Sequence, residues 1–424
     1  MKKSEYIDRL SEGKLDDILS ALYTSQNVPK QKKRYTQAIN KFSSVYPNRD
    51  DIHIYSASGR TEIGGNHTDH QHGCVIAAAV DLDVIGVAAF HNDGVVRICS
   101  EGYDAFEISA NDLGIHSGET GTPAIVRGIL SKFSGICGNI GGFDMYITSD
   151  VLSGSGISSS AAFENLISTA IDTYYNDKKA GAVEIAKIGQ YAENVYFGKN
   201  SGLMDQMVSS AGGFVFVDFR NVDEPYIERI SFNFGSTGHK LIITDTKGSH
   251  SDLTEDYTAI RSEMETVAKQ FGKKVLREVN ETEFRRRIPE LRKKISDRAV
   301  LRAVHFFNEN KRACDEAESL KNGDFSGFMK LVRQSGASSG NYLQNLYSSK
   351  TPLRQEIPLA IMTATGILGE RGAVRVHGGG FAGTIQAFVP DELENDYISA
   401  MNELFGDDSC YILSVRPLGG TEVI

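Results

Sequence analysis

The feature that most constrains this chain is a strand, a glycine- and serine-rich loop and an amphipathic helix in immediate succession. In FDMYITSDV, Phe143, Met145 and Ile147 alternate with Asp144, Tyr146 and Thr148, the period of a half-buried strand. LSGSGISSS follows. After it, Ala162, Phe163, Leu166, Ile167, Ala170, Ile171 and Tyr174 recur at the i, i+3, i+4, i+7 spacing of a helix face. Gly154 and Gly156 permit positive φ and a close approach of backbone to a ligand. Ser158, Ser159 and Ser160 stand where the helix begins, so hydroxyls, free N–H groups and the positive end of the helix dipole converge there. These are the ingredients of a phosphate cradle. The loop is not a Walker A loop, because no Gly-Lys-Ser/Thr occurs, and it lacks the third glycine of a Rossmann fingerprint. The competing reading is a flexible connector with a serine cap.

The rest of the chain sets the context. Its 424 residues are enough for two domains or one large two-lobed unit. With 45 Lys and Arg against 55 Asp and Glu the formal charge is -10, which gives no bulk attraction for nucleic acid or an anionic membrane. No run approaches the ~18 apolar residues of a membrane span, and MKKSEYIDRL does not read as a signal peptide. The five cysteines (Cys74, Cys99, Cys137, Cys314, Cys410) form no CxxC pair, so neither a disulfide framework nor a zinc clip is indicated. The setting expected is a reduced, cytoplasmic one.

Residues 1–50 read as a helical appendage, with Ile7, Leu10, Leu15, Ile18, Leu19 and Leu22 at helical spacing before the polar stretch QKKRY. CVIAAAVDLDVIGVAAF reads as buried strand, or strand plus helix. Further strands are expected at GFVFVDF, at 241–246 and on both sides of HGGGFAG. The basic clusters RRR and RKK read as solvated helix faces. The expected division is a lobe over 51–225 and a second over 226–424.

Three further segments carry candidate chemistry. In GRTEIGGNHTDHQHG, Arg60 offers a planar fork for an oxyanion. His67 and Asp69, on a Gly-rich backbone, suit a polyhydroxyl ligand, whose every OH needs a donor and an acceptor. His67, His70, His72 and Asp69 also admit a metal site or a satisfied polar turn. In GLMDQMVS, Asp205 lies between Met204 and Met207, surroundings that raise a carboxylate's pKa, although an Asp there is also a common helix cap. Glu193 on the preceding helix could supply the hard oxygen that Mg²⁺ prefers. Finally, the glycines of VHGGGFAG would let backbone approach phosphate or a neighbouring loop, or simply make a tight turn.

In this order these segments resemble the GHMP family of small-molecule kinases, and within it most closely the galactokinases. The residues that carry the likeness are Gly59-Arg60, Ile63, Gly65 and His67-Thr68-Asp69. With them go Gly154, Gly156 and SSSAA, then AENVYFGKNSGLMDQ, HSDLTEDY and GGGFAG. The resemblance implies an α+β, two-lobed fold: an N-terminal lobe like domain 2 of ribosomal protein S5 and a ferredoxin-like C-terminal lobe. It implies ATP-dependent phosphorylation of a sugar's anomeric hydroxyl, with Asp205 catalytic and Arg60 stabilising charge. Asn66, His67, Asp69, Gly202 and Tyr257 would hold the sugar, Gly154, Gly156 and Ser158 to Ser160 the ATP phosphates, and Ser159 and Glu193 the Mg²⁺.

The sequence departs from the family pattern at named places. Asn66 stands where Glu is usual, Glu62 where Asn is usual, His70 for Tyr and Leu152 for Pro, and the Trp near the adenine is absent, with TPAIVRGI in its region. Asn66 admits a galacturonate or another hexose as alternatives to galactose, since a neutral amide would not repel a C6 carboxylate. A sugar- and ATP-binding sensor without turnover is the reading from another class, and the intact SSSAA and Asp205 speak against it. His67-Thr68-Asp69, a sugar-type feature, speaks against a mevalonate or homoserine kinase.

Overall fold

The computed structural model describes residues 1–151, 157–199, 201–248 and 253–424. Two sheets organise it. The larger runs β12 (Thr421–Glu422), β1 (His53–Gly64), β2 (Cys74–Phe90), β5 (Phe143–Ser149), β3 (Val95–Ser100) and β4 (Phe106–Ser109). The hairpin of β6 (Phe214–Asp218) and β7 (Tyr226–Ile230) is attached to β2. All pairings are antiparallel except that of β3 with β5.

β2 explains the long apolar run, which forms one strand with no helix in it. Its 17 residues serve two neighbours on one edge, β6 along Cys74 to Ala78 and β5 along Val84 to Phe90. Both of its faces are covered, so its sequence is continuously apolar. In the first half, Ile76, Ala78 and Val80 face the central core, while Val75, Ala77 and Ala79 face the cluster containing Met207 and Val208. In the second half, Val84 and Ala88 face the central core, and Ile85, Val87 and Ala89 face the N-terminal helices.

The first fifty residues form three helices, α1 (Lys3–Ser11), α2 (Asp16–Tyr23) and α3 (Val28–Val45). QKKRY, read from sequence as polar connector, lies on α3: Tyr35, Ile39 and Phe42 bury one face while the lysines take the other. The helices are pinned to the sheet at Asp83, a fully buried carboxylate. Arg34 reaches it at 2.5 Å and Arg416 at 3.2 Å, and the hydroxyls of Tyr23 and Ser56 donate to it.

On the opposite face lie α4 (Thr122–Cys137), α5 (Ser159–Tyr175), α6 (Gly181–Tyr191) and α7 (Met204–Ala211). The second sheet is antiparallel, in the order β11 (Cys410–Leu413), β8 (His239–Asp245), β10 (Thr384–Pro390), β9 (Ala373–Val376). Between β8 and β9 the chain forms α8 (Thr254–Lys269), α9 (Glu281–Leu291), α10 (Asp297–Lys321), α11 (Phe325–Ser338) and α12 (Glu356–Leu368), and α13 (Glu394–Phe405) follows β10. α12 and α13 cover one face of this sheet. α10 joins two packing units, with Ala313, Ala317 and Leu320 in the central core and Ala303, Phe306 and Phe307 against α8 and α9. The RRR cluster lies on α9, where Arg285 and Arg287 pair with Glu281 and Glu290, a solvated face. Position 225/226 falls inside the β6–β7 hairpin, and β12 returns the C-terminus to the larger sheet.

Candidate active site

Arg60 lies in β1 between two irregularities of the β1–β2 ladder, one at Ser58/Arg60 and one at Glu62/Gly64. Such irregularities re-aim side chains. The Arg60 N–H donates to the Ile157 carbonyl at 3.0 Å, and a Cβ on Gly59 would stand 2.7 Å from the Ile157 side chain. The strand therefore presses against the turn that starts α5, and only glycine fits at the contact.

From there Arg60 reaches Asp205 with both arms of its fork, Nε to Oδ1 at 2.7 Å and Nη2 to Oδ2 at 2.8 Å. Asp205 is in the first turn of α7, where the helix dipole favours a negative charge. Ser158 adopts a left-handed conformation (φ 60°) directly before α5 and donates to Asp205 Oδ2 at 2.6 Å. Its hydroxyl is thus not spent on capping α5, which has no side-chain cap. The first-turn N–H groups around Ser159 and Ser160 are left to a ligand. Gly154 and Gly156 lie outside the described residues.

The electrostatics of Asp205 correct the sequence-based expectation. Burial does push its pKa up, but the Arg60 charge and the hydrogen bonds from Arg60 and Ser158 outweigh it and hold the carboxyl below its ordinary value. The flanking methionines suggested the reverse; no local pattern revealed the guanidinium 145 residues away.

The loop after β1 is held by the Gly378–Gly380 turn. His67 Nε2 lies 2.9 Å from the Gly379 carbonyl, and Tyr257, at the start of α8, donates to the Gly380 carbonyl at 3.0 Å. A Cβ on Gly379 would sit 2.5 Å from the Tyr257 ring, so the glycines of this turn serve close approach to a neighbour. Asp69 is exposed, as is Gly202 just before α7.

Asn66 is placed differently from the expectation of a sugar contact. It is 1% exposed, and its Nδ2 donates to Glu62 at 2.9 Å and to the Gly378 carbonyl at 2.8 Å. Its Oδ1 accepts from Asn345 at 3.0 Å. Both amide protons are consumed inside the protein. Glu62, the other departure, pairs with the buried Arg375 at 2.7 Å.

Glu193 is buried and accepts from Lys199 at 3.0 Å and from Gln206 at 3.0 Å. Gln206 also donates to Glu164, whose carboxyl is pushed well up by burial and by the nearby Glu193 charge. Because Gln206 follows Asp205, α7 ties the two acidic positions together. The donor chemistry of Glu193 fits Mg²⁺, being a hard carboxylate oxygen with a cationic group already on it, and the Ser159 hydroxyl on α5 is of the same hard type.

A cavity of about 540 Å³ opens beside the start of α5. Ser159 and Ser160 stand at it, and Pro123, Ile125, Phe106, Phe163 and Tyr103 supply apolar wall. Polar groups on one side of an apolar slot of this size suit a flat ring carrying phosphates. Pro123 and Ile125 belong to the TPAIVRGI region. Tyr103, Phe106 and Asn345 went unread in the sequence, and Gln206, the last residue of AENVYFGKNSGLMDQ, was given no role there. Tyr103, Phe106 and Asn345 had no nearby motif to signal them.

Residues 124–213 match the family model of the GHMP kinases N-terminal domain, and residues 40–90 match the galactokinase galactose-binding signature. Among solved structures, galactokinase of Lactococcus lactis complexed with galactose aligns at a TM-score of 0.74 and 22% identity, over 90% of this chain and 98% of that one. Mevalonate kinase of Methanococcus jannaschii aligns at 0.60 and 17%, over 85% and 98%. A D-glycero-D-manno-heptose 1-phosphate kinase from Bacteroides thetaiotaomicron aligns at 0.58 and 15%, over 88% and 98%. These likenesses show the fold: it is the mixed α/β, two-lobed fold expected from the sequence.

Proposed function

We propose, on the premise that this chain belongs to the GHMP kinases and carries the galactokinase galactose-binding signature, that it transfers the γ-phosphoryl group of ATP to the anomeric hydroxyl of galactose. The observation that carries the reading is the two-armed Arg60–Asp205 pair beside the Ser158 hydroxyl at the start of α5. An ionised carboxylate has about four acceptor sites, so after Arg60 and Ser158 Asp205 can still accept from a sugar hydroxyl. That contact aims the attacking oxygen at the phosphate held by α5.

Phosphoryl transfer depends chiefly on positioning and charge neutralisation. A lowered pKa makes Asp205 a weak base in the resting site, so the proton moves to it late, as the oxygen–phosphorus bond forms. Arg60 neutralises the negative charge on the transferring group and keeps the carboxylate oriented. His67, Asp69, Gly202 and Tyr257 hold the sugar, with the Gly378–Gly380 turn fixing the first and the last of them. The 540 Å³ cavity takes the adenine, with Pro123, Phe106 and Tyr103 in place of a tryptophan. Glu193 and Ser159 would hold Mg²⁺, which when bound neutralises phosphate charge.

ADP release measured over galactose, galacturonate, glucose, N-acetylgalactosamine and mevalonate tests the reading. Turnover greatest with galactose is expected, and absence of galactose-dependent ADP would overturn it. The pairing of Glu62 with Arg375 favours one second reading, a hexuronate, which the same panel resolves.

A further inference from the structure

On the reading that Glu193 takes the divalent cation and the start of α5 the phosphates, we propose that Lys199 is a tethered counter-ion. Its ammonium occupies Glu193 until a nucleotide arrives, then gives up that carboxylate to the cation and turns to the phosphates. The pair is made locally. After α6 the chain winds as a wider, π-helical turn over Ala192–Phe197, and Gly198 ends it in the left-handed region (φ 77°). The N–H groups of Gly198 and Lys199 both donate to the Glu193 carbonyl, that of Lys199 at 3.0 Å, so the chain doubles back on Glu193. From there Lys199 Nζ donates to Glu193 Oε1 at 3.0 Å.

Both oxygens of Glu193 are therefore taken, but only one partner is free to leave. Gln206 Nε2 donates one proton to Glu193 Oε2 and the other to Glu164 Oε2, each at 3.0 Å. Gln206 is 1% exposed and holds two carboxylates at once, so it is fixed. The Lys199 side chain is 54% exposed, against 2% for Glu193. A lysine has a flexible four-carbon stem, and a half-exposed ion pair is held by a factor of about five at most. Its departure still needs a replacement, because a buried carboxylate without a cation is costly. The ammonium and a hard divalent cation are thus alternatives at Oε1.

The phosphates lie within the reach of the freed ammonium. Gln206, bonded to Glu193, follows Asp205 on α7, and Asp205 accepts from Ser158 at 2.6 Å directly before α5. Glu193 and Lys199 therefore adjoin the turn that takes the phosphates, and the Lys199 charge is felt at Asp205. Phosphate oxygens attract a compact ammonium strongly. Without them, Lys199 stays on Glu193 and opposes a bare cation. With them, the lysine is drawn away and the carboxylate is left to the cation that accompanies the nucleotide.

The test is two calorimetric titrations of the full chain, one with Mn²⁺ alone and one with ADP in the presence of EDTA. Lys199→Met keeps the stem and removes the charge. It should bind Mn²⁺ roughly threefold to tenfold more tightly than the wild type, and metal-free ADP more weakly by a similar factor. Opposite signs are the signature, since a structural defect would weaken both. Lys199→Arg keeps the charge and should match the wild type with Mn²⁺. Unchanged or weaker Mn²⁺ binding by Lys199→Met, or undiminished ADP binding, would overturn the proposal. So would a gain in Mn²⁺ affinity that persists when Glu193→Gln is added. Should Lys199→Met fold poorly, Lys199→Gln serves in the same titrations. Neither titration needs sugar turnover, so the lysine's role and the choice of galactose stand or fall separately.

Discussion

Asp205 and Arg60 act as one unit. Replacing Asp205 by Asn keeps shape and removes charge, so turnover should fall by roughly 10²- to 10⁴-fold with little change in ATP binding, as steady-state kinetics would show. Arg60→Lys keeps the charge but loses the fork and should also impair turnover. The low pKa of Asp205 has a defined sign: its stabilising contribution is complete above about 3.9, the unfolded value, and is lost as pH falls through the lower folded value. Acid unfolding of Asp205→Asn should therefore lack that component. Tyr103 stands at the apolar cavity, so Tyr103→Ala should raise KM for ATP by roughly threefold to tenfold, the worth of one aromatic contact, and leave KM for the sugar unchanged. At this scale motif spacing singled out Arg60, Ser158 and Asp205, which the structure brings together. It did not reveal the surroundings of Asp205 and Asn66, because these come from Arg60 and Asn345, partners with no local signature.

The loop between β1 and β2 rests on a buried carboxyl. Glu316 of α10 is fully buried among Glu309, Arg375, Arg312 and Glu62, and neither of its oxygens has a hydrogen-bond partner. It fills the space a Cβ on Gly64 would need. Burial raises its pKa well above the ordinary value, and the Glu309 charge adds to the effect. Its stabilisation is present below about 4.3, the unfolded value, and fades as pH rises toward the folded one. Glu316→Gln should flatten the fall in Tm as pH rises above about 4.3, the unfolded value, measured by calorimetry; an unchanged slope would assign the pH dependence elsewhere. The helical and strand periodicities were legible for α5, β5 and β2. The third N-terminal helix was not, because its lysines face solvent and mask the apolar stripe of Tyr35, Ile39 and Phe42.

Across the whole molecule, the N-terminal helices, the larger sheet and the C-terminal segment meet at Asp83, through Tyr23, Arg34, Ser56 and Arg416. Breaking a buried ion pair from one side costs about 3–5 kcal/mol. Asp83→Asn should therefore lower the denaturant midpoint markedly while leaving the sugar and ATP KM values of the surviving folded protein unchanged. No periodicity pointed to this junction, since it joins residues from both ends of the chain. The central claim is that the Arg60–Asp205 pair directs the γ-phosphoryl group of ATP to the anomeric oxygen. Phosphorus-31 NMR of the product formed from galactose and ATP tests it most directly. Coupling of the phosphorus to the C1 proton, absent when Asp205→Asn replaces the wild type, is the result expected; phosphate on another carbon, or the same product at the same rate from the variant, would contradict it.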